Sequence, residues 1–345
     1  MGNKKTSIGG QALIEGIMMR GPEKAALAVR EKTGGIYLED WDIVNNKWYR
    51  KTPFIRGVFN FVSQMADGYK YIGISMEKSG LYDEDEETSE PESAETPQIP
   101  EKHEQTPEQK AKNESRESAF MAVITVIGGI AGVGIAVLLF MFLPTWIFSW
   151  IQKAAGGAEV SGLTPLRSLF EGLIKLIVFV GYMALTALMK DIRRTYEYHG
   201  AEHKTIACHE AGEELTCGNV RTKTRFHPRC GTSFIFLSLA ISIVIYSIFP
   251  INSELFVETF GITQFAADFL RVVIKLILLP LIVSVSYEVI RLAGRHEKNP
   301  VMRVISAPGL LMQRLTTREP DDSMIEVAIA AMKKVIPEDK SLDVY

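Results

Sequence analysis

Four of the six histidines (His199, His203, His209, His227) and all three cysteines (Cys208, Cys217, Cys230) fall within residues 199–230. Such clustering suits a metal ion, because a cation needs several nitrogen or thiolate donors converging at about 2.0–2.3 Å. The segment opens YHGAEHKTIACHE, and His199 and His203, four apart, share one face of a helix continuing from the apolar run before it. Glu202 sits beside them. His-x-x-Glu-His is the inverted zincin order, in which two histidines bind zinc and the glutamate activates water. The segment closes RFHPRCGTSF, placing His227 and Cys230 three apart directly before another apolar run. The expected metal ligands are therefore His199, His203, His227 and Cys230, with Glu202 as catalytic base and zinc as the favoured divalent ion. Four protein ligands fill a tetrahedral site; leaving one out keeps a position open for water. His209, Glu210 and Glu288 are candidates to support or replace a ligand. The plainer reading is that histidines at a membrane interface hydrogen-bond backbone or lipid, and that Cys208 and Cys217 are small buried hydrophobes.

Four apolar runs must position these residues. In a chain of 345 residues, Ala119–Ile151 is a run of 33 without one charge, which excludes a purely soluble protein. As a helix it exceeds a roughly 30 Å hydrocarbon core by about 20 Å, so Pro144 is expected to end its straight part, with Trp146 and Trp150 as interfacial anchors. The other expected spans are Leu166–Met189, Thr232–Phe249 before Pro250, and Val272–Ile290 kinked at Pro280. The fold class is thus a mainly α membrane protein with a four-helix transmembrane bundle over residues 119–292. Residues 190–231 between the second and third spans hold eight Lys/Arg, against one in 152–162 and 251–270 together. By the positive-inside rule, that central segment and both termini face the cytoplasm, across a bacterial plasma membrane.

Around the bundle, residues 1–50 read as a small β-rich cytoplasmic unit. QALIEGIMM is followed by AALAVRE and GIYLEDWDI, joined by a Lys32-Thr33-Gly34-Gly35 turn. Residues 53–76 read either as an amphipathic helix on the cytoplasmic membrane face or as a soluble core helix. Residues 83–118 carry 13 Asp/Glu against 4 Lys/Arg and read as an acidic, disordered tether. The tail, 293–345, contains TTREPDDSMIEVAIAAMKKV, a capped docking helix with Ile325, Ala328, Ile329 and Met332 on its apolar face. Glycines in GGQALIEGIMMRGP lack phosphate-loop spacing and read as turns and close packing, with Glu15 and Arg20 at most weak site residues. Charged residues also stand near the outer surface: Glu171 and Lys175 on the second span, Arg271 and Lys275 on the fourth. An interfacial ion pair with snorkelling lysines explains them more simply than a conduction path. A net charge of −3 gives no whole-chain basic field for nucleic acid, and three cysteines exclude a fully paired disulfide framework. The first residues, MGNKKTSIGG, have no apolar core of signal-peptide length.

GGQALIEGIMMRGP, YHGAEHKTIACHE, RFHPRCGTSF and APGLLMQRLTTREPDD together resemble the YqhQ-like family of bacterial multi-pass membrane proteins. That resemblance covers nearly the whole chain apart from 83–118. It implies a domain of unknown function labelled a metal-dependent enzyme, and it points to His199, Glu202, His203, His227 and Cys230. The family has LTVENV where this chain has Leu215-Thr216-Cys217-Gly218-Asn219-Val220, so Cys217 is a poor candidate for a shared ligand. Two functions follow. One is a metal-dependent integral membrane enzyme, hydrolytic in type; the other is a non-catalytic membrane protein whose metal site is structural, sensory or ion-handling.

Overall fold

Short runs bounded by turns over residues 9–42, continuously apolar in the two central ones, produce four strands: β1 (Gly9–Leu13), β2 (Gly16–Arg20), β3 (Lys24–Arg30) and β4 (Ile36–Asp42). They pair as one antiparallel meander in the order β1-β2-β3-β4. The structure is a computed structural model and describes residues 5–43, 48–80, 127–154, 164–249, 251, 253–296 and 298–344. The acidic stretch 83–118 lies outside the described residues. Helices follow the sheet: α1 (Ile55–Ser79), α2 (Ile127–Ala154), α3 (Thr164–Thr186), α4 (Lys190–Glu210), α5 (Cys217–Arg221) and α6 (Gly231–Ile248). The rest are α7 (Ser253–Phe260), α8 (Gln264–Ile277), α9 (Leu279–Arg295), α10 (Pro300–Thr316) and α11 (Asp322–Val335).

The sheet is packed on both faces. Ile17, Met19, Ala26 and Ala28 point to a core completed by α4 and α11, while Leu13, Met18, Leu27 and Val29 meet Tyr71 of α1. QALIEGIMM is not one strand. It breaks at Ile14-Glu15, where Glu15 takes a left-handed φ of 51° and its carboxylate pairs with Arg194 and accepts from Tyr198 Oη at 3.2 Å. Glu15 therefore ties the sheet to α4, and Arg20 forms a surface pair with Asp67 at 3.6 Å. The expected docking helix is α11. Asp321 caps it by accepting from Met324 N at 3.0 Å, while Glu326 pairs with Arg30 of β3 at 2.8 Å. Its buried face is Met324, Ile325, Val327, Ala328, Ile329, Ala331, Met332 and Val335. Each large apolar side chain there contributes roughly 1.5–3 kcal/mol on burial, against about 1 kcal/mol for the cap, so packing sets its position.

Among the described residues, four stretches are long and apolar enough to cross a membrane: Ile127–Ala154, Leu169–Thr186, Gly231–Phe260 and Gln264–Arg295. Two local expectations change. The first stretch runs on past Pro144, because a π turn at Leu138–Phe142 just before it absorbs the missing N–H and the ring. The fourth stretch is interrupted beside Pro280 as expected: α8 ends at Ile277, Leu278 keeps right-handed backbone, and the proline sits in the first turn of α9. The histidine helix also does not continue the second stretch: α3 ends at Thr186, Ala187–Met189 turn, and α4 starts afresh at Lys190. Residues 190–231 are accordingly no simple loop. They hold two helices, and α4 is a core helix with Tyr198, Ala201, His203 and Ile206 buried.

Candidate functional site

His199, Glu202 and His203 lie on the buried side of α4, and Cys230 is the residue that starts α6 after the RFHPR turn. One ligand atom each from His199, His203 and Cys230 lies within 4.8 Å of the other two, a spacing that a single ion can bridge. The imidazoles meet edge to face, with centroids 4.4 Å apart. Each is held by a backbone carbonyl, which can only accept. His199 Nδ1 donates to Thr316 O at 2.8 Å, and His203 Nδ1 donates to Arg225 O at 2.6 Å. That orients both rings and turns each Nε2 towards the shared space. His199 Nε2 is 3.2 Å from Cys230 Sγ, which also contacts Thr232 Oγ1 at 3.1 Å.

Electrostatics follow from that packing. Burial alone favours a neutral His199, but the Cys230 thiolate beside it and the Thr316 carbonyl push its pKa up to about 9. Burial also opposes ionisation of Cys230, yet the His199 and His203 imidazoles outweigh it and hold the thiol well below its ordinary value. Burial pushes the Glu202 carboxyl up. Its Oε2 is buried and has no hydrogen-bond partner among the described residues. Leaving a buried carboxylate oxygen without a partner costs of order 1–3 kcal/mol, in line with the raised pKa of this carboxyl.

Three backbone approaches build this site, and each comes from a distant segment. Gly10 of β1 lies so close to Glu202 that a Cβ would stand 2.9 Å from its Cδ. Gly200 lets the Arg318 carbonyl and Pro320 sit directly on α4, where Arg318 N also donates to Tyr196 O at 2.8 Å. Gln313, fully buried on α10, clamps the HPRC turn by accepting from His227 N at 2.8 Å and donating to His227 O at 2.7 Å. None of these was assigned a role from sequence. The available signals were the glycines of GGQALIEG and the polar run QRLTTREP.

The remaining expected residues stand apart from the three-donor set. His227 is stacked on His203 with centroids 5.5 Å apart, and its Nε2 faces Arg229 at 3.3 Å and Glu210 at 3.9 Å. Burial lowers its pKa. Glu210 is committed to Arg229 and to Thr6 N at 2.9 Å; burial works against ionisation, but the His227 and Arg229 contacts hold its carboxyl at about 2. His209 pairs with Asp343 at 2.8 Å. Glu288 pairs with Arg56 of α1, with Nε to Oε1 at 2.7 Å, and also accepts from Phe54 N at 3.1 Å. Cys208 and Cys217 are free thiols, the first buried, and pack in the apolar core around α11.

Fold and site define a mostly helical protein: four apolar helices, a small antiparallel sheet, and a His/His/Cys group under the sheet's edge. The chain belongs to the family described as "Protein of unknown function (DUF1385)", which matches residues 52–338. It is 28% identical over 332 residues to the uncharacterized protein YqhQ of Bacillus subtilis (strain 168), covering 95% of this chain and 92% of that protein. No solved structure matches it.

Proposed function

We propose that this protein is a multi-pass protein of the bacterial plasma membrane that carries a divalent-metal centre of hydrolytic type at the cytoplasmic face of its bundle. His199, His203 and Cys230 are the ligands and Glu202 is the base. One observation carries the reading: three donors converge with both imidazoles pre-oriented by carbonyls, beside a buried carboxylate oxygen that has no hydrogen-bond partner among the described residues. Two imidazoles and a thiolate favour zinc. A divalent ion held there supplies Lewis acidity and a water of lowered pKa. Glu202 Oε2 lies beside the three donors, and the raised pKa of this carboxyl suits it to accept a proton, hold it and pass it on. Gly10 packs directly against the Glu202 carboxyl, and the residue is 5% exposed.

Burial favours a second reading. His203, Glu202 and Cys230 are only 2%, 5% and 6% exposed, as in a closed structural site that clamps the HPRC turn to α4. Elemental analysis of detergent-purified protein tests for the metal, and Glu202→Gln separates the two readings. A base variant keeps its metal and loses turnover, sought by comparing lipid, peptide and phosphate-ester hydrolysis in membranes. If Glu202→Gln loses metal as fully as a ligand variant does, Glu202 is a ligand and the structural reading replaces the hydrolytic one.

Orientation rests on the eight-to-one Lys/Arg contrast. Support for a bilayer setting is the large apolar surface of the four helices, including Ile177 at 70% and Val244 at 57% exposure. Cysteines placed singly at the exposed positions Thr222 and Glu258 are expected to behave oppositely in whole cells. The first should be shielded from an impermeant thiol reagent and the second should react. The reverse pattern would put the His/Cys group outside.

A further inference from the structure

We propose that α1 and α10 lie in the plane of the cytoplasmic leaflet, on either side of the start of α6, as an interfacial collar bound to anionic lipid. The inference rests on the membrane reading above and adds a lipid-binding surface to it. On α1 the usual order is inverted. Its fully buried residues are small or polar, Gly57, Gly68, Ser75 and Ser79 with Tyr71; Val58, Phe61 and Ile74 are half-buried, while Phe59, Val62, Met65 and Ile72 are exposed. A helix stabilised in water puts its largest apolar groups inward; one that lies in an interface puts them outward, into the acyl boundary.

Continuity with the apolar helices gives the collar its place. Gly57 lies against Ser284 and Tyr287 of α9, Asn60 Nδ2 donates to Tyr287 Oη at 3.0 Å, and Phe61 meets Phe234 in the first turn of α6 at 5.8 Å. On the neighbouring face of that turn, Gly309 of α10 packs on Ser233, to which Gln313 Nε2 also donates at 3.0 Å. The outer side of α10 shows Val301, Val304 and Leu311, with Arg303 and Arg314 exposed on the same side. Residues 300–316 contain no acidic side chain, and Arg291, Arg295 and Lys298 lead into them. Arginines beside an apolar stripe match a leaflet in which acyl chains take the apolar groups and anionic headgroups take the guanidinium groups. The sheet sits on the opposite side of α1, where Ser75 Oγ bonds Ile14 O and Trp41 stacks on Tyr71 at 5.1 Å.

The test uses the full chain, with Cys217→Ser, in vesicles of phosphatidylglycerol and phosphatidylcholine. An environment-sensitive fluorophore is attached to single cysteines at Val62, Val304, Val244 on α6, or Thr33 in the hairpin turn. Lipids with a nitroxide near the headgroup should quench Val62 and Val304 severalfold more than Thr33. A deep nitroxide should quench Val244 most. If Val244 is quenched while Val62 and Val304 behave like Thr33, the collar is wrong and the membrane reading stands. If Val244 is not quenched, the membrane reading falls and takes the collar with it. Energy transfer between copies labelled at Val62 or Val304, with no nitroxide quenching there, would assign the stripe to a second copy of the chain and overturn the lipid assignment.

Discussion

His203→Ala is expected to lower metal affinity by more than about 100-fold, because loss of even an outer hydrogen-bond partner costs about 10–100-fold. The side chain is 2% exposed and its ring is oriented by Arg225 O, so the variant loses a pre-positioned donor and leaves that carbonyl without its partner. Cys230→Ser should act in the same direction, since a serine hydroxyl stays protonated where the thiol ionises. His227→Ala should keep its metal, because its Nε2 faces Arg229 and Glu210 rather than the three-donor space. Metal stoichiometry after dialysis against a chelator, with competition titration, reads all three. Retention by Cys230→Ser alone would make the site nitrogen- and oxygen-rich and move the ion from zinc towards iron or manganese. Loss in His227→Ala would make His227 a ligand. If no variant changes metal content, the His199–Cys230 contact is a hydrogen bond within a polar core, and the metal proposal is wrong.

The same residues show what a sequence can carry. His199 and His203 were legible as a pair because a spacing of four puts two side chains on one helical face wherever the helix lies. Cys230 joined them only by the assumption that both ends of one segment return to neighbouring helices, which the start of α6 satisfies. The β3–β4 hairpin was legible from its Gly34-Gly35 turn, with Gly34 at φ 86°. The break at Ile14-Glu15 was not, because a left-handed glutamate carries no local signal and is held by Arg194, far along the chain. Pro144 misled for a physical reason: a π turn lets an apolar helix keep going where an ordinary turn would stop. Glu288 looked like a third-ligand carboxylate because a glutamate near the membrane needs a partner. The partner is Arg56, on a helix whose distance from α9 no local pattern encodes.

The motifs distinguished in the sequence meet on α4, and the close approaches there require glycine at Gly10 and Gly200. GGQALIEG contributes Gly10 against Glu202 and Glu15 against Arg194 and Tyr198. HPRC contributes Cys230, and its turn is clamped by Gln313 of the last motif. TTREP contributes the Thr316 carbonyl that orients His199, and Glu319, which pairs with Lys204 at 2.7 Å and with Arg225 at 3.5 Å. The donors are therefore supported by segments far along the chain, with Thr316 lying 117 residues from His199 and Gln313 lying 86 from His227. Metal affinity should respond to substitutions that touch no donor.

Gly200→Ala is the sharpest such case. Alanine gains about 1 kcal/mol over glycine in a helix interior, so on propensity alone the variant should be more stable. Here the new Cβ would overlap the Arg318 carbonyl oxygen and stand 3.3 Å from Pro320 Cδ. No rotamer relieves a clash between Cβ and backbone, and overpacking of this kind costs about 1–3 kcal/mol, enough to cancel or exceed the gain. The strap must lift, and Thr316, two residues before Arg318, must move with it and leave His199 without the carbonyl that orients its ring. Metal affinity should fall by about 10–100-fold with every donor still present. Trypsin should also cut sooner after Arg318. Gly218→Ala is the control, because that glycine is helical and has nothing within 4 Å of its Cβ position. It should leave affinity and cleavage unchanged. If Gly200→Ala matches Gly218→Ala in both measurements, the strap does not rest on α4, and the orientation of His199 must come from elsewhere.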